Sequence, residues 1–240
     1  APKKMNIFLV AFALGLLLPA VIIVLRENMN TKVRGRKDLE NVTMPLIGEI
    51  PLSLRNVSRL PWKKHSRRTR RLDILINEAF RVLRSNIDFM SSGDAGHNVF
   101  VLTSFNPGSG KSFIAMNLAT SFAIKGKRVL VIDGDLRHGS TSSYVSNPKH
   151  GLTDYLSGQQ SDVKSLIVTT SSNSCLDVLP IGKVPPNPTE LLENGRLAEV
   201  LTDLRGSYDY IFIDCPPIDI VADTQIIEKY ADRTIFVVRA

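Results

Sequence analysis

The most constraining feature of the chain is a glycine-rich turn between an apolar, β-rich run and a run with helical spacing. Residues 98–103 read Asn-Val-Phe-Val-Leu-Thr, the turn at 105–112 reads Phe-Asn-Pro-Gly-Ser-Gly-Lys-Ser, and residues 112–124 carry the helical pattern. A strand, a turn and a helix in this order leave the first N–H groups of the helix open. Residues 108–112 are therefore predicted to bind an anion, and phosphate is the natural candidate.

The side chains of this turn suit a nucleotide. Lys111 is long enough to reach β- and γ-phosphates, and the Ser112 hydroxyl is a ligand for Mg²⁺. The candidate nucleotide-binding residues are Gly108, Ser109, Gly110, Lys111, Ser112 and Phe113. Phe105 stands where the usual phosphate-loop pattern has its first glycine, so the match is incomplete there. A Gly-Lys-Ser tripeptide alone is equally an ordinary turn that opens a core helix.

Two further apolar runs end in acidic residues. Residues 128–133 end at an aspartate and are followed by Asp135 and Arg137, and residues 210–214 end at Asp214. Short, nearly continuous apolar runs predict parallel strands covered on both faces. Because ligands of open α/β sheets bind beyond the carboxyl ends of the strands, we expect these acids beside the phosphate loop. A single strand-terminal aspartate is commonly a cap or turn residue, but three beside such a loop favour phosphoryl transfer.

The run Asp-Gly-Asp-Leu-Arg at 133–137, with Asn106 and Pro107 ahead of Gly-Lys-Ser, resembles the bacterial tyrosine kinases that accompany capsule and exopolysaccharide export. That family has a phosphate loop containing proline, an Asp-x-Asp-x-Arg strand and a later strand ending in Asp, in this order, and it shares the departure at Phe105. Residues 185–192, Pro-Pro-Asn-Pro-Thr-Glu-Leu-Leu, are also similar to the family. The resemblance implies an α/β fold of the phosphate-loop NTPase type, similar to the partition ATPases, with a mostly parallel sheet and helices on both faces.

The resemblance also implies an enzyme, a non-specific protein-tyrosine kinase that uses ATP and Mg²⁺. It assigns phosphate binding to Lys111 and Ser112, and activation of the tyrosine hydroxyl to Asp133. The implied metal ligands are Ser112, Asp135 and Asp214, the last through a bound water. The candidate catalytic residues are Lys111, Asp133, Asp135, Asp214 and Arg137, of which Arg137 would orient groups at the site.

The sequence Glu-Ala-Phe-Arg-Val-Leu-Arg at 78–84 resembles the assembly motif of the same family. On a helix, Glu78, Arg81 and Arg84 recur every three residues, and we expect them to share one face. The resemblance places that face against a neighbouring subunit in a ring. A solvated face with ion pairs inside the helix is the alternative.

Residues 7–25 form an apolar run without a charged side chain. As a helix the run is about 29 Å long, enough to cross a membrane, with a kink at Pro19. A signal peptide is the alternative, because two lysines precede the run. The length of the run and the lack of a small-residue cleavage pattern after it favour a membrane anchor. Basic residues are more numerous after the run than before it, which places its C-terminal side in the cytoplasm.

The predicted organisation is a residual outward-facing flank at 1–6, the transmembrane helix at 7–25, a cytoplasmic linker at 26–71 and the kinase domain at 72–240. Six of the ten residues at 62–71 are Lys or Arg, and they supply much of the net charge of +7. Such a run is usually solvated, with anionic lipid as a second option and nucleic acid as a third. We predict no nucleic-acid partner.

The ends of the chain also carry expectations. An apolar run at 234–238 reads as a buried strand close to the last residue, so we expect the natural chain to continue as the family's tyrosine-rich tail, which would hold the acceptor tyrosines. The helix at 7–25 resembles the second of two membrane helices, which implies further chain before it. Cys175 and Cys215 match no metal spacing and are expected to be free thiols.

We therefore expect a membrane-anchored autokinase of the bacterial inner membrane, with its kinase domain in the cytoplasm, that phosphorylates a tyrosine tail in trans. The resemblance implies as partners a homo-oligomeric ring such as an octamer, membrane lipid, the polysaccharide polymerisation and export machinery, and a tyrosine phosphatase. A partition-type ATPase is one alternative, although Asn106 stands where those proteins have a second lysine. A nucleotide-dependent scaffold without catalysis is the other.

Overall fold

A computed structural model of the protein describes residues 4–28, 43–51, 67–91, 96, 98–219 and 222–239. The chain divides into two compact units, Ala1–Met44 together with Ala240, and Pro45–Arg239. In the first unit, α1 (Lys4–Asn28) is a helix with Pro19 inside it. Within the part of the chain that the structure describes, no helix combines the length and the apolar character needed to cross a membrane.

The second unit is an α/β domain built on one six-stranded sheet. Its helices are α2 (Arg67–Ser91), α3 (Lys111–Ala123), α4 (Leu152–Leu156), α5 (Pro188–Glu193), α6 (Arg196–Arg205) and α7 (Asp223–Glu228). Its strands are β1 (Val99–Ser104), β2 (Val129–Asp133), β3 (Val168–Thr169), β4 (Leu176–Leu179), β5 (Tyr210–Asp214) and β6 (Arg233–Val237). The strand order is β3-β4-β2-β5-β1-β6, and only the β3–β4 pair is antiparallel. The predicted mostly parallel α/β fold is confirmed.

The two faces of the sheet are buried under different helices. In β1, Val99 and Val101 join a core cluster with α4, α5, α6 and α7, whereas Phe100 and Leu102 join a second cluster with α2 and α3. Strands β2 and β5 divide their side chains between the same two clusters. This alternation explains why the central strands read as continuous apolar runs, because both faces of a strand are covered.

Helix α2 packs against α3 and the sheet. Its Phe80 ring meets Phe113 of α3 edge to face, with ring centroids 5.8 Å apart. Arg84 Nη1 donates to the carbonyl oxygen of Ser121 at 2.7 Å and to its hydroxyl at 3.0 Å. The Tyr210 hydroxyl of β5 bonds the carboxylate of Asp88 in α2. These contacts make α2 part of the domain core.

The predicted assembly face is divided between surface and core. Glu78 and Arg81 are exposed and form an ion pair at 3.1 Å, but Arg84 is only 9% exposed and bonds α3. The expectation that all three share one face is wrong because a spacing of three falls short of a helical turn. Over six residues the side chain rotates by about 120° around the helix axis.

The predicted linker lies partly outside the described residues. Residues 45–51 have no regular secondary structure. They contact α2, since Asn86 Nδ2 donates to the Ile47 carbonyl at 2.7 Å. Residues 52–66, which include the first half of the basic run, are outside the described part, and residues 67–71 begin α2. Cys175 and Cys215 are free thiols, as expected.

Candidate active site

The glycine-rich turn joins the end of β1 to the start of α3. Gly108 has φ +70° and Gly110 has φ +94°, values that residues with a Cβ rarely adopt. Within the turn, the hydroxyl groups of Ser104 and Ser109 each donate to the Asn106 carbonyl at 2.8 Å. The turn thus brings the chain to the start of a 13-residue helix whose first N–H groups are available to an anion.

Lys111 and Ser112 begin α3 next to Asp214, the acid at the end of β5. Lys111 is 9% exposed, and its positive charge acts on Asp214. The Ser112 side chain lies beside the Asp214 carboxyl group and lowers its pKa. The Phe113 ring packs against Phe80 of α2, and the contact of Phe113 with nucleotide stays a prediction. The structure therefore brings the loop lysine, the loop serine and one strand-terminal acid together.

Asp133 and Asp214 lie opposite each other at the ends of adjacent strands, since they are register partners in the β2–β5 pair. A pair of consecutive hydroxyl residues holds them. The Ser142 N–H and hydroxyl donate to Asp133 Oδ2 at 2.7 and 2.6 Å, and the Thr141 hydroxyl donates to Asp214 Oδ2 at 2.5 Å. Among the described residues, the other oxygen of each acid, Oδ1, is buried without a hydrogen-bond donor.

Burial governs the protonation of these two acids. Removal from water raises the pKa of Asp133 to about 7, against the hydrogen bonds of Ser142, which lower it, and with the charge of Asp214, which raises it further. Burial likewise raises the pKa of Asp214 to about 6, while the side chains of Ser112 and Thr141 and the charge of Lys111 lower it. At neutral pH, Asp133 is therefore poised to accept or release a proton.

Asp135 lies in the turn after β2 and is bound by that turn. Its Oδ1 accepts the N–H groups of Arg137 and His138, each at 3.2 Å, and the His138 ring nitrogen Nδ1 lies 3.1 Å from both carboxylate oxygens. Asp135 also raises the pKa of both Asp133 and Asp214 through its charge. The three predicted acids thus form one electrostatically coupled group.

Arg137 is directed to a different partner. Its guanidinium pairs with the buried carboxylate of Asp223 at the start of α7, with Nε 3.0 Å from Oδ2. It also donates to the hydroxyl of Thr189 in α5 at 3.1 Å. The sequence predicted that Arg137 orients groups at the site, and the contacts of its side chain are with these two helices.

Several residues of this region were missed by sequence reasoning. They are Thr141, Ser142, Thr189 and Asp223, which contact the predicted residues, and His138, which contacts Asp135. Thr189 lies in the Pro-Pro-Asn-Pro-Thr segment that carried part of the family resemblance. Thr141, Ser142, Asp223 and His138 are polar residues of loops and helix ends, where such residues are common and no local pattern distinguishes them.

The side-chain oxygens of this site suit a Mg²⁺ ion that is also bound by nucleotide phosphates better than a metal ion bound by protein side chains alone. Within the described residues, no three His, Cys, Asp or Glu side chains are arranged to hold a metal ion. Mg²⁺ in phosphate sites typically takes one or two carboxylates, with phosphate oxygens and waters completing the octahedron. Ser112, Asp214 and Asp135 are hard oxygen donors, and the bond-free Asp214 Oδ1 is a buried acceptor next to the loop.

Comparisons with known proteins agree with this architecture. A family model described as AAA domain matches residues 97–239. The tyrosine-protein kinase wzc of Salmonella typhimurium is 34% identical over 249 residues, which cover 99% of this chain and 34% of that protein. The chain thus spans about a third of the length of the curated relatives that it matches.

Two solved structures are similar at different levels. The kinase domain of the Escherichia coli tyrosine kinase ETK superposes with a TM-score of 0.76 at 29% identity, covering 87% of this chain and 83% of that one. The septum site-determining protein MinD of Pyrococcus horikoshii, complexed with Mg-ADP, has a TM-score of 0.51 at 27% identity and covers 58% of this chain and 57% of that one.

Proposed function

Because the chain belongs to the AAA domain family and is a relative of the bacterial tyrosine-protein kinases, we propose that it transfers phosphate from ATP to protein tyrosine. The observation that carries the proposal is the pair of buried acids, Asp133 and Asp214, beside the loop that begins α3. Each acid has one oxygen fixed by a hydroxyl donor and one without a donor among the described residues. This arrangement supplies both a base and a metal ligand.

Each residue has a role that follows from its position. The open N–H groups at the start of α3 and the Lys111 ammonium hold the phosphates. Ser112, Asp214 and Asp135 would hold Mg²⁺, which would neutralise charge on the β- and γ-phosphates. Asp133 accepts the proton of the tyrosine hydroxyl, and its pKa of about 7 suits a general base at neutral pH.

Phosphotyrosine formation tests the proposal directly. The protein is incubated with ATP, Mg²⁺ and a synthetic tyrosine-rich peptide, and phosphotyrosine is measured by mass spectrometry. We expect activity in the wild type and in the control Lys125→Met, which changes an exposed lysine just beyond α3. Lys111→Met and Asp133→Asn should reduce the rate by about 10²-fold or more. Phosphotyrosine at the wild-type rate in both of these variants would contradict the assigned site.

The same assay separates the alternatives. Release of inorganic phosphate without phosphotyrosine would favour a partition-type ATPase, for which the similarity to MinD gives structural support. Nucleotide binding without either product would favour a scaffold. Asn106 argues against the first alternative, because the partition-type loop has a second lysine at that position.

We further propose that the chain is anchored in the bacterial inner membrane through residues 7–25 and acts in a ring that regulates capsular or exopolysaccharide polymerisation and export. The acceptor would be a tyrosine tail of another subunit, reset by a tyrosine phosphatase. Large apolar side chains between Phe12 and Leu25 are more than half exposed in α1, which supports burial in lipid.

Membrane anchoring has its own test. The whole chain, expressed in bacteria, should remain in the membrane fraction after carbonate washing, whereas a variant with Leu16→Arg and Ile22→Arg should not, because charges in the middle of a span cost several kcal/mol. Retention of the arginine variant would contradict the anchor.

A further inference from the structure

We propose that Arg137 is a positioning residue that orients the Asp135 carboxylate for Mg²⁺, and that Asp223 and Thr189 act on Asp135 through it. The inference rests on the proposed binding of Mg²⁺ and nucleotide at the loop. It differs from the role expected from sequence, in which Arg137 itself orients groups in the reaction.

The guanidinium of Arg137 connects the turn after β2 to α5 and α7. It forms a hydrogen-bond network of three side chains, those of Arg137, Asp223 and Thr189. Its Nε lies 3.0 Å from Asp223 Oδ2, and its Nη2 lies 3.1 Å from the Thr189 hydroxyl and 3.4 Å from Asp223 Oδ1. The Thr189 hydroxyl in turn donates to Asp223 Oδ1 at 2.7 Å. Each member therefore contacts both of the others, which fixes the planar guanidinium in one orientation.

The burial of Asp223 opposes any movement of the Arg137 side chain out of this network. The Asp223 side chain is 1% exposed, whereas that of Arg137 is 37% exposed. A buried carboxylate without a charged partner is costly, because it has lost its hydration. A movement of Arg137 toward the phosphates would leave Asp223 in that condition, so the structure favours Arg137 as a fixed support.

The same residue holds Asp135 through its backbone. The Arg137 N–H donates to Asp135 Oδ1 at 3.2 Å, beside the N–H of His138 at the same distance. The guanidinium and this N–H belong to one residue, so anchoring the side chain restricts the position of the donor. Partners of metal ligands commonly change metal affinity by about 10- to 100-fold.

Nucleotide binding at controlled Mg²⁺ tests the inference without relying on catalysis. ADP affinity is measured by isothermal titration calorimetry in EDTA and over a series of Mg²⁺ concentrations. For Arg137→Gln and Asp223→Asn, we expect the Mg²⁺ concentration that gives half of the affinity gain to rise about 10-fold. The affinity in EDTA should stay within about twofold of the wild type. The double variant should resemble the single variants, because both changes break the same network.

A second ion pair of the domain provides the control. Arg205 and Asp232 are 3.0 Å apart, with the aspartate side chain 10% exposed, and they lie at the opposite end of the strands, where Asp232 accepts the N–H of Val99. Arg205→Gln should lower the thermal unfolding temperature but leave the Mg²⁺ requirement unchanged. A similar Mg²⁺ shift in this control would mean that general destabilisation is the cause, and would overturn the inference.

Two further outcomes would overturn it. One is an unchanged Mg²⁺ requirement in both single variants. The other is a loss of ADP affinity in EDTA for Arg137→Gln alone, which would indicate direct contact with the nucleotide. If Arg137→Gln does not fold, Asp223→Asn and Thr189→Val report on the same network. Wild-type protein whose ADP affinity does not respond to Mg²⁺ would instead contradict the proposed metal site itself.

Discussion

At neutral pH, the carboxyl group of Asp133 is close to its pKa, because burial raises that pKa to about 7. A carboxyl group at the surface would be fully ionised there. The hydroxyl and N–H of Ser142 oppose the effect of burial by donating to the ionised form. The ionised form of Asp133 therefore destabilises the folded state. A buried acid of this kind is expected where a side chain transfers protons.

Asp133→Asn should therefore make the protein more stable at pH 8. In the unfolded chain the carboxyl group ionises around its ordinary pKa of 3.8, but in the folded protein it ionises at about 7. Between these values the folded state binds the extra proton, so wild-type stability falls as the pH rises from about 4 to about 7 and stays low above that. Asparagine does not ionise, and its carbonyl oxygen can still accept the Ser142 bonds.

Urea unfolding at pH 5 and pH 8 measures this difference. The stability gain of Asp133→Asn over the wild type should be larger at pH 8 than at pH 5. Asp203→Asn, which changes an exposed residue of α6, is the control and should show the wild-type pH dependence. A gain in Asp133→Asn that is equal at both pH values would contradict the assigned pKa.

The sequence predicted which side chains lie close together only where the order of strands in the sheet determines it. Asp133 and Asp214 end two apolar runs, and parallel strands bring such ends to one edge of the sheet. The partners of Arg84 and Arg137 were not predictable, because Ser121 and Asp223 lie 37 and 86 residues further along the chain. Only the packing of helices selects these pairs.

At the scale of elements, α3 and the strands β1, β2, β5 and β6 were predicted to within one residue at each end, whereas β3 and β4 were not predicted. Strand β5 begins and ends where its apolar run does, and β6 starts one residue before the expected run. Continuous burial explains β5, because it removes polar residues from the strand and so marks its length. Strand β6 lies at the edge of the sheet and is only partly buried, since Thr234 is exposed and only Ile235 and Val237 are buried, so the expectation of a buried strand there was wrong in part. Helix α2 was less predictable: its periodicity did not reveal that Arg84 turns toward α3.

Helix α2 should contribute strongly to stability, although the family match begins after it, at residue 97. Phe80 is 3% exposed and contacts Phe113, next to the phosphate loop. Phe80→Ala should lower the free energy of unfolding by about 3–5 kcal/mol, because it leaves a cavity in the core. Val82→Ala, at an exposed position one residue past Arg81, should change it by less than about 0.5 kcal/mol.

Denaturant unfolding at a fixed pH compares the two variants. Similar stabilities of Phe80→Ala and Val82→Ala would mean that α2 detaches from the sheet in solution. ADP binding measured on the same samples should weaken in Phe80→Ala only, because α3 carries the loop at its first turn.

At the scale of the whole molecule, the exposed ion pair of Glu78 and Arg81 could serve subunit assembly or only the local stability of α2, and a charge exchange distinguishes these two roles. The double variant Glu78→Arg with Arg81→Glu keeps an ion pair inside the helix but reverses the charges offered to a neighbour. If the pair serves a ring, the exchanged variant should lose the assembled species in mass photometry. If the pair only stabilises α2, the assembly of this variant should match the wild type, and the proposed ring contact would be wrong.

The paired acids at the ends of β2 and β5 also make ligand binding a proton-releasing event. A cation placed next to Asp214 favours its ionised form, so protons held near neutral pH by Asp133 and Asp214 should leave as Mg²⁺ and nucleotide enter. The calorimetric binding enthalpy at pH 6.5 should then vary linearly with the ionisation enthalpy of the buffer, with a slope that counts the protons. Asp133→Asn should reduce that slope, and a wild-type enthalpy independent of the buffer would mean that the acids are already ionised when the nucleotide arrives.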